Sequence, residues 1–370
     1  MVKKIRILHI FNAFSTGGME SNLLNFFSRA DFEKFEHFIF IARDEGALKE
    51  LYHKLPVRIF TLKCSPPRFF FYSLPVGYYL CKKHRIQIIH GHNYGAYRYG
   101  YFLSLLTRLP LFTSNYGLGT WKRKRHLFLE SIVFKRAKIN ISLSRAILEK
   151  EIALVRGEAN SRPAFKVVYP IIRDISPDSL SNHDQKGIRR KLGITNDKPI
   201  LTIIGRIHRL KGHRLAIDAL DRINQDGLKA NLLIVGPKVD PSVLKEVDLK
   251  KEYIRFLDYY DPLEEVWGVS DFFLITSVSE GTPLVLVEYL AIGKPVIASD
   301  ISGNRELIRD NWNGFLFRTG EVDDLVEKIR SALDRRDIEK IRANAREFFV
   351  THLQPEKTVR EMEGDYREYA

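Results

Sequence analysis

A chain of 370 residues with net charge +14 is too long for one ordinary core and suits two domains of about 150 to 200 residues each. At 45% hydrophobic and 28% charged, without low-complexity tracts or solenoid-length repeats, the composition is that of a soluble globular protein, and its two cysteines, Cys64 and Cys81, exclude a disulfide framework or a cysteine-rich zinc site. The positive charge lies entirely in residues 1–170, which carry +17 against −3 for the rest, and between Leu51 and Leu129 there are 13 basic residues and no acidic one. Such a span suggests an anionic partner, although charge runs are commonly just solvated faces.

The N-terminal "KKIRILHIFNAF" resembles a signal peptide only superficially, because it continues into "STGGMES" without a small-residue cleavage pattern, and it reads as a first β-strand over Ile5–Phe11. Further strands are predicted at His37–Ala42, Val57–Leu62, Ile86–His90, Leu111–Asn115, Lys138–Ser142 and Lys166–Tyr169. The polar stretch "RDISPDSLSNHDQKGIRRKLG" reads as a linker, after which strands resume at Pro199–Gly205, Asn231–Gly236, Tyr253–Leu257, Asp271–Thr276, Pro295–Ser299 and Gly314–Phe317. Strands alternating with helical patterns predict an α/β protein with two parallel, Rossmann-like sheets. The expected boundaries are 1–172, 173–350 and a terminal helix over 351–370. No apolar run approaches the roughly 20 residues of a membrane-spanning helix.

Ligands of parallel sheets bind beyond the carboxyl ends of the strands, so the residues found there are the candidates. Gly17 and Gly18 follow the first strand and open a helix from about Met19, where an anion could approach the backbone closely. Gly205 ends a later strand and is followed by Arg206 and Lys211, a guanidinium and an ammonium suited to a diphosphate. In "SEGTPLVLVEYLAIGKP", Thr282 is a candidate N-cap and Pro283 a first helical residue. Within the otherwise apolar run Leu284–Ile292 the charge of Glu288 needs a partner. Glu280 and Gly281 stand in the loop before it. His90, His92 and Asn115, at strand ends of the first half, could meet a sugar hydroxyl or assist proton transfer, or be packing residues. No cluster has metal-ligand spacing in the sequence, and no Asp-x-Asp triplet occurs.

Together "FNAFSTGGMES", "GRIHRLKG", "SVSEGTPLVLVEYLAIGKPVIASDISGNRELI" and "WNGFLF" resemble, in order and over nearly the whole chain, the retaining nucleotide-sugar-dependent glycosyltransferases of GT-B fold, the glycosyltransferase family 4-like group with a Glu-x7-Glu signature, here Glu280 and Glu288. The resemblance implies two facing Rossmann-like domains with a deep cleft. It implies that Glu288 holds the donor ribose, and that Glu280, with the backbone of Gly281, Thr282, Pro283 and Leu284, meets the transferred sugar. Arg206 and Lys211 would neutralise the leaving diphosphate, with Gly17, Gly18 and Gly205 around it, so that no metal ion or cofactor is needed. Asn115 stands where many relatives carry a histidine, "YPIIRD" replaces a common Asn-Gly-(Ile/Val)-Asp element, and Asp258 replaces a glycine near the base.

The reading that follows is a cytoplasmic glycosyltransferase passing a hexose-type sugar to a lipid-linked or cell-envelope glycan, peripherally associated with the inner face of the plasma membrane. Lys122, Arg123, Lys124 and Arg125, with the aromatic runs "FFFYSLPVGYY" and "TWKRKRHLF", would face anionic lipid. An epimerase-type enzyme of the same fold, and a basic nucleic-acid binder lacking any recognised module, are the alternatives.

Overall fold

The computed structural model describes residues 4–15, 17–61, 66–119, 122–155, 164–175, 177, 180, 184–245 and 251–370, without the side chains of 66–72 and 241. The chain divides into two compact units, Met1–Ile172 with Leu353–Ala370, and Arg173–His352. The first is built on seven parallel strands, β1 (Ile5–Phe11), β2 (Phe35–Ile41), β3 (Arg58–Thr61), β4 (Ile88–His92), β5 (Leu111–Asn115), β6 (Ile139–Ser142) and β7 (Ala164–Val167), in the order β3-β2-β1-β4-β5-β6-β7. The second holds six, β8 (Ile200–Ile204), β9 (Asn231–Val235), β10 (Ile254–Leu257), β11 (Phe272–Ile275), β12 (Val296–Ser299) and β13 (Phe315–Phe317), in the order β10-β9-β8-β11-β12-β13. Chain order reverses between β1 and β4 and again between β8 and β11, which opens the crevice where ligands of doubly wound sheets bind.

The strands are near-continuous apolar runs because helices cover both faces of each sheet. In the first unit, Ile7, Phe11, Ile39 and Ile88 pack under the helices Gly18–Phe27 and Pro355–Tyr369, through Leu23, Phe26, Phe27, Val359 and Tyr366. The opposite face, with Leu8, Ile10, Phe38 and Phe40, is covered by the helices Pro66–Lys83, Asn93–Thr107 and Lys124–Arg136 through Leu80, Tyr97, Leu103 and Phe134. Among the described residues no helix is long and apolar enough to cross a membrane.

Two local expectations change. The helix after Glu280 runs Leu284–Ala291 with Pro283 rather than Thr282 at its N-cap, φ −64° and ψ 123°, because proline's fixed φ also suits an extended residue at the helix entry. Part of the expected linker is structured as well: Gln185–Lys191 is helical, and Ile188 joins Leu192, Ile194, Val266 and Val269 in the second unit's core. Residues 176, 178, 179 and 181–183 of that stretch lie outside the described residues.

Candidate functional site

The second unit gathers most of the anticipated residues at the carboxyl edge of its sheet. Gly205 ends β8 with φ +153°, a conformation that disfavours any side chain, and its carbonyl sits where a Cβ at Gly236 would come within 2.2 Å. The chain then reaches Lys211 and turns at Gly212, φ +65°, where a Cβ would lie 2.0 Å from the Thr276 carbonyl. Thr276 Oγ1 donates to the Lys211 carbonyl at 3.0 Å. These contacts press the Lys211 loop against the end of β11 and bring its ammonium to Glu280, Nζ to Oε1 2.5 Å, with Ser277 Oγ donating to the same oxygen at 2.9 Å. Arg206 is exposed on this edge, with no ion pair to a described residue.

Glu288 is buried on the helix Leu284–Ala291, and burial raises its carboxyl to about 7 against the pull of Arg173, with Glu264 adding to the rise. Arg173 lies 4.6 Å from the Trp267 ring centroid and 3.5 Å from the Glu264 carboxylate. Sequence reasoning missed Arg173, because nothing in "YPIIRD" couples it to a helix more than a hundred residues away. It also missed His213, buried at the start of the helix His213–Gln225 with neither ring nitrogen in a hydrogen bond of acceptable geometry. Desolvation first, then Lys211, lowers His213 to about 4, so it is neutral. Gly281 and Pro283 are buried and Thr282 and Leu284 half-buried in the loop and first turn beside Glu280. Asp258 is exposed just beyond β10.

In the first unit Gly17 is the N-cap of the helix Gly18–Phe27, and a Cβ there would meet the Glu20 carboxylate at 2.2 Å, while Gly18 has open space around it. His92 and Asn115 stand at the ends of β4 and β5, but both are committed inward. His92 is fully buried, its Nε2 3.0 Å from His9 Nδ1 and its Nδ1 3.0 Å from the Tyr116 hydroxyl, and is therefore a satisfied packing residue rather than one open to a sugar. Asn115 donates to Glu151 at 2.7 Å, and Glu151 also accepts from Ser142. Burial raises the Glu151 carboxyl to about 7.

Around His92 the fold assembles a cluster invisible in the sequence. His9 Nε2 meets His37 Nδ1 at 3.0 Å, and His90 pairs with the Tyr366 hydroxyl at 2.7 Å and Ser114 Oγ at 2.8 Å. His9, His90 and His92 bring ligand-type nitrogens within 4.8 Å of one another, a grouping that could hold a metal ion and that linear spacing did not reveal. Each of these residues uses both ring nitrogens in hydrogen bonds within the protein.

The basic stretch also departs from expectation at one position. Lys122 does not present its charge to a membrane: its side chain is only 5% exposed and pairs with the buried Glu130, which also accepts from Tyr97. A cation drawn in to neutralise a buried carboxylate is unavailable as a surface charge. Arg123, Lys124 and Arg125 are exposed. Thr120 and Trp121 lie outside the described residues, as do the side chains of 69–72.

Residues 184–348 match the family model described as glycosyl transferases group 1. A UDP-Gal:alpha-D-GlcNAc-diphosphoundecaprenol alpha-1,3-galactosyltransferase of Escherichia coli is 23% identical over 308 residues, 80% of this chain and 78% of that one. A D-inositol 3-phosphate glycosyltransferase of Nocardia farcinica is 30% identical over 166 residues, 42% of this chain and 37% of that one, so well under half of that relative's length is matched. Among solved structures, Anabaena Alr3699/HepE in complex with UDP and glucose superposes with a TM-score of 0.82 at 21% identity, covering 98% of this chain and 99% of that one. A sucrose-phosphate synthase from Thermosynechococcus elongatus reaches 0.79 at 18% identity, covering 99% of each. The match to the glycosyl transferases group 1 model thus lies within the second unit, and the two-sheet architecture throughout is that of the GT-B fold.

Proposed function

We propose that the protein transfers a sugar, with retention of anomeric configuration, from a nucleotide diphosphate donor to a lipid-linked or cell-envelope glycan. The observation that carries this reading is the Lys211–Glu280 pair at the end of β11, with the buried and unneutralised Glu288 one helix further on. In the proposed reaction the donor displaces Lys211 from Glu280. The ammonium and the exposed Arg206 guanidinium then stabilise the departing diphosphate, electrostatic work that a metal ion performs elsewhere. Glu280, released, orients hydroxyls of the transferred sugar beside the loop Gly281–Leu284, and Glu288 accepts hydrogen bonds from the donor ribose. A donor phosphate oxygen takes the acceptor proton. No metal or cofactor is required in this scheme.

We place the enzyme in the cytoplasm, peripherally on the inner face of the plasma membrane. Support comes from exposed apolar side chains on the helices Asn93–Thr107 and Lys124–Arg136, Leu105 at 48%, Leu106 at 57% and Phe128 at 67%, the last within about one turn of the exposed Lys124 and Arg125. Exposed apolar side chains on a strongly basic unit suit a headgroup interface. A panel of nucleotide sugars screened by thermal shift tests the donor reading, since a donor at 100 times its Kd stabilises the native state by about 2.7 kcal/mol. The anomeric configuration of the product, read by NMR, tests retention. A chain stabilised by no nucleotide or nucleotide sugar would refute the proposal.

A further inference from the structure

The first unit carries a concentration of positive charge that the donor chemistry does not use. Tyr94 opens the helix Asn93–Thr107 just beyond β4, and three basic groups surround its ring. The Arg98 guanidinium lies 5.0 Å and the Lys122 ammonium 5.4 Å from its centroid, and the His126 ring meets it edge-on at 5.5 Å and 71°. Arg123 and Arg125 flank His126 at the start of the helix Lys124–Arg136, and the Arg123 backbone amide donates to His126 Nδ1 at 3.1 Å. Desolvation and then the charges of Arg125, Arg98, Arg123 and Lys122 lower the pKa of His126, so all four cations bear on one imidazole.

Only Lys122 among the four is neutralised. Glu130, its partner, is buried and also engaged by Tyr97, while Arg98, Arg123 and Arg125 form no ion pair with a described residue. Like charges held together in this way repel unless an anion sits among them, and guanidiniums are the side chains that bind phosphate oxygens in forked pairs. Their position matters as much as their charge. Asn93, at φ +72°, donates to Met19 Sδ, and a Cβ at Gly95 would lie 3.8 Å from Asn12 Oδ1. The cluster is therefore next to the loop after β1 that carries Gly17 and Gly18, on the edge of the sheet where ligands bind.

We infer that Arg98 and His126 at the Tyr94 ring, with Arg123 and Arg125 beside His126, form an anion site for a phosphate or diphosphate group carried by the acceptor. The inference rests on the transfer reading above and narrows the acceptor to a phosphorylated molecule. It also gives the exposed arginines a task distinct from holding a bilayer: they would grip the phosphate of a lipid-linked acceptor at the point where it leaves the headgroup layer.

The test uses the full chain saturated with UDP, so that the Arg206–Lys211 region is occupied, and inorganic pyrophosphate titrated calorimetrically. Wild-type protein should bind pyrophosphate under these conditions. The triple variant Arg98→Gln, Arg123→Gln, Arg125→Gln should bind it at least tenfold more weakly, while the corresponding triple lysine variant stays within a few-fold of wild type and UDP affinity is unchanged in both. Absence of pyrophosphate binding to UDP-saturated wild type would overturn the site. So would a glutamine variant that keeps pyrophosphate but loses phosphatidylglycerol vesicles, since the arginines would then serve the bilayer alone. Should UDP itself fail to bind, a uridine donor is excluded, and titration of an Arg206→Ala, Lys211→Ala protein without UDP still reads the acceptor-side site independently.

Discussion

Acidification should destabilise the first unit through its buried histidines. Burial drives His37 and His90 from 6.5 down to about 3, and His9 and His92 are pushed in the same direction, chiefly by desolvation. The folded unit holds these imidazoles neutral, whereas the unfolded chain protonates them near their ordinary value. Between the two values the unfolded state binds the extra protons, so the histidine contribution is complete above about pH 6.5 and is lost as pH falls toward 3. At about 1.4 kcal/mol per unit and group, His37 and His90 together cost about 4 kcal/mol at pH 5 relative to pH 8. Glu151 works the other way: burial raises it to about 7, so acidification relieves a penalty and returns about 2.5 kcal/mol over the same interval. His9 and His92 add to the loss, and the net effect is acid destabilisation.

One substitution isolates a single proton from this balance. His37 stacks on Phe35 and meets Phe26, Phe27 and Phe32 edge-on at centroid distances of 5.4 to 5.6 Å, and its Nε2 has no partner among the described residues. A phenylalanine fits that aromatic setting at the cost of the 3.0 Å contact with His9. His37→Phe should therefore lose about 2 kcal/mol less than wild type between pH 8 and pH 5. Pulse proteolysis across a urea series, with fragments assigned to each unit by mass, reads this difference directly. Identical pH dependence in the two proteins would refute the assignment of a buried, neutral His37.

Three further outcomes are expected. Glu288→Gln removes a buried carboxylate raised from 4.5 to about 7, a penalty present above pH 7 and relieved by protonation as pH falls, so at pH 8 it should stabilise the unliganded protein by about 1 to 3 kcal/mol while weakening donor affinity; urea midpoints and donor titration check both, and an unchanged donor affinity would remove Glu288 from the site. Lys122→Met leaves Glu130 buried without its cation and should cost about 3 to 5 kcal/mol, whereas Lys124→Met, on the surface, should stay within about 0.5 kcal/mol. Excess chelator should leave sugar transfer intact if Arg206 and Lys211 stabilise the leaving group, and loss of activity restored by magnesium or manganese would contradict that chemistry.

What the sequence discloses here and what it conceals divide along a physical line. The strands are legible because a parallel strand covered on both faces must be a continuous apolar run, and Leu111–Asn115 is a strand with the predicted boundaries. Glu280 and Glu288 are legible because eight positions of one loop and helix set their spacing locally. The histidine cluster is not, since residues 9, 37, 90 and 92 meet only through the pairing of β1 with β2 and β4. Lys122 shows the same limit from the other side. Counting charges treats "KRKR" as four equivalent cations, but Glu130 lies two turns along the following helix and faces inward, and it draws in the nearest ammonium. That pairing separates one structural lysine from Arg123 and Arg125 beside it, whose charge is left for a ligand. A charge excess in a sequence thus bounds the potential of a surface, and only the burial of its carboxylates decides which cations can meet an anion from outside.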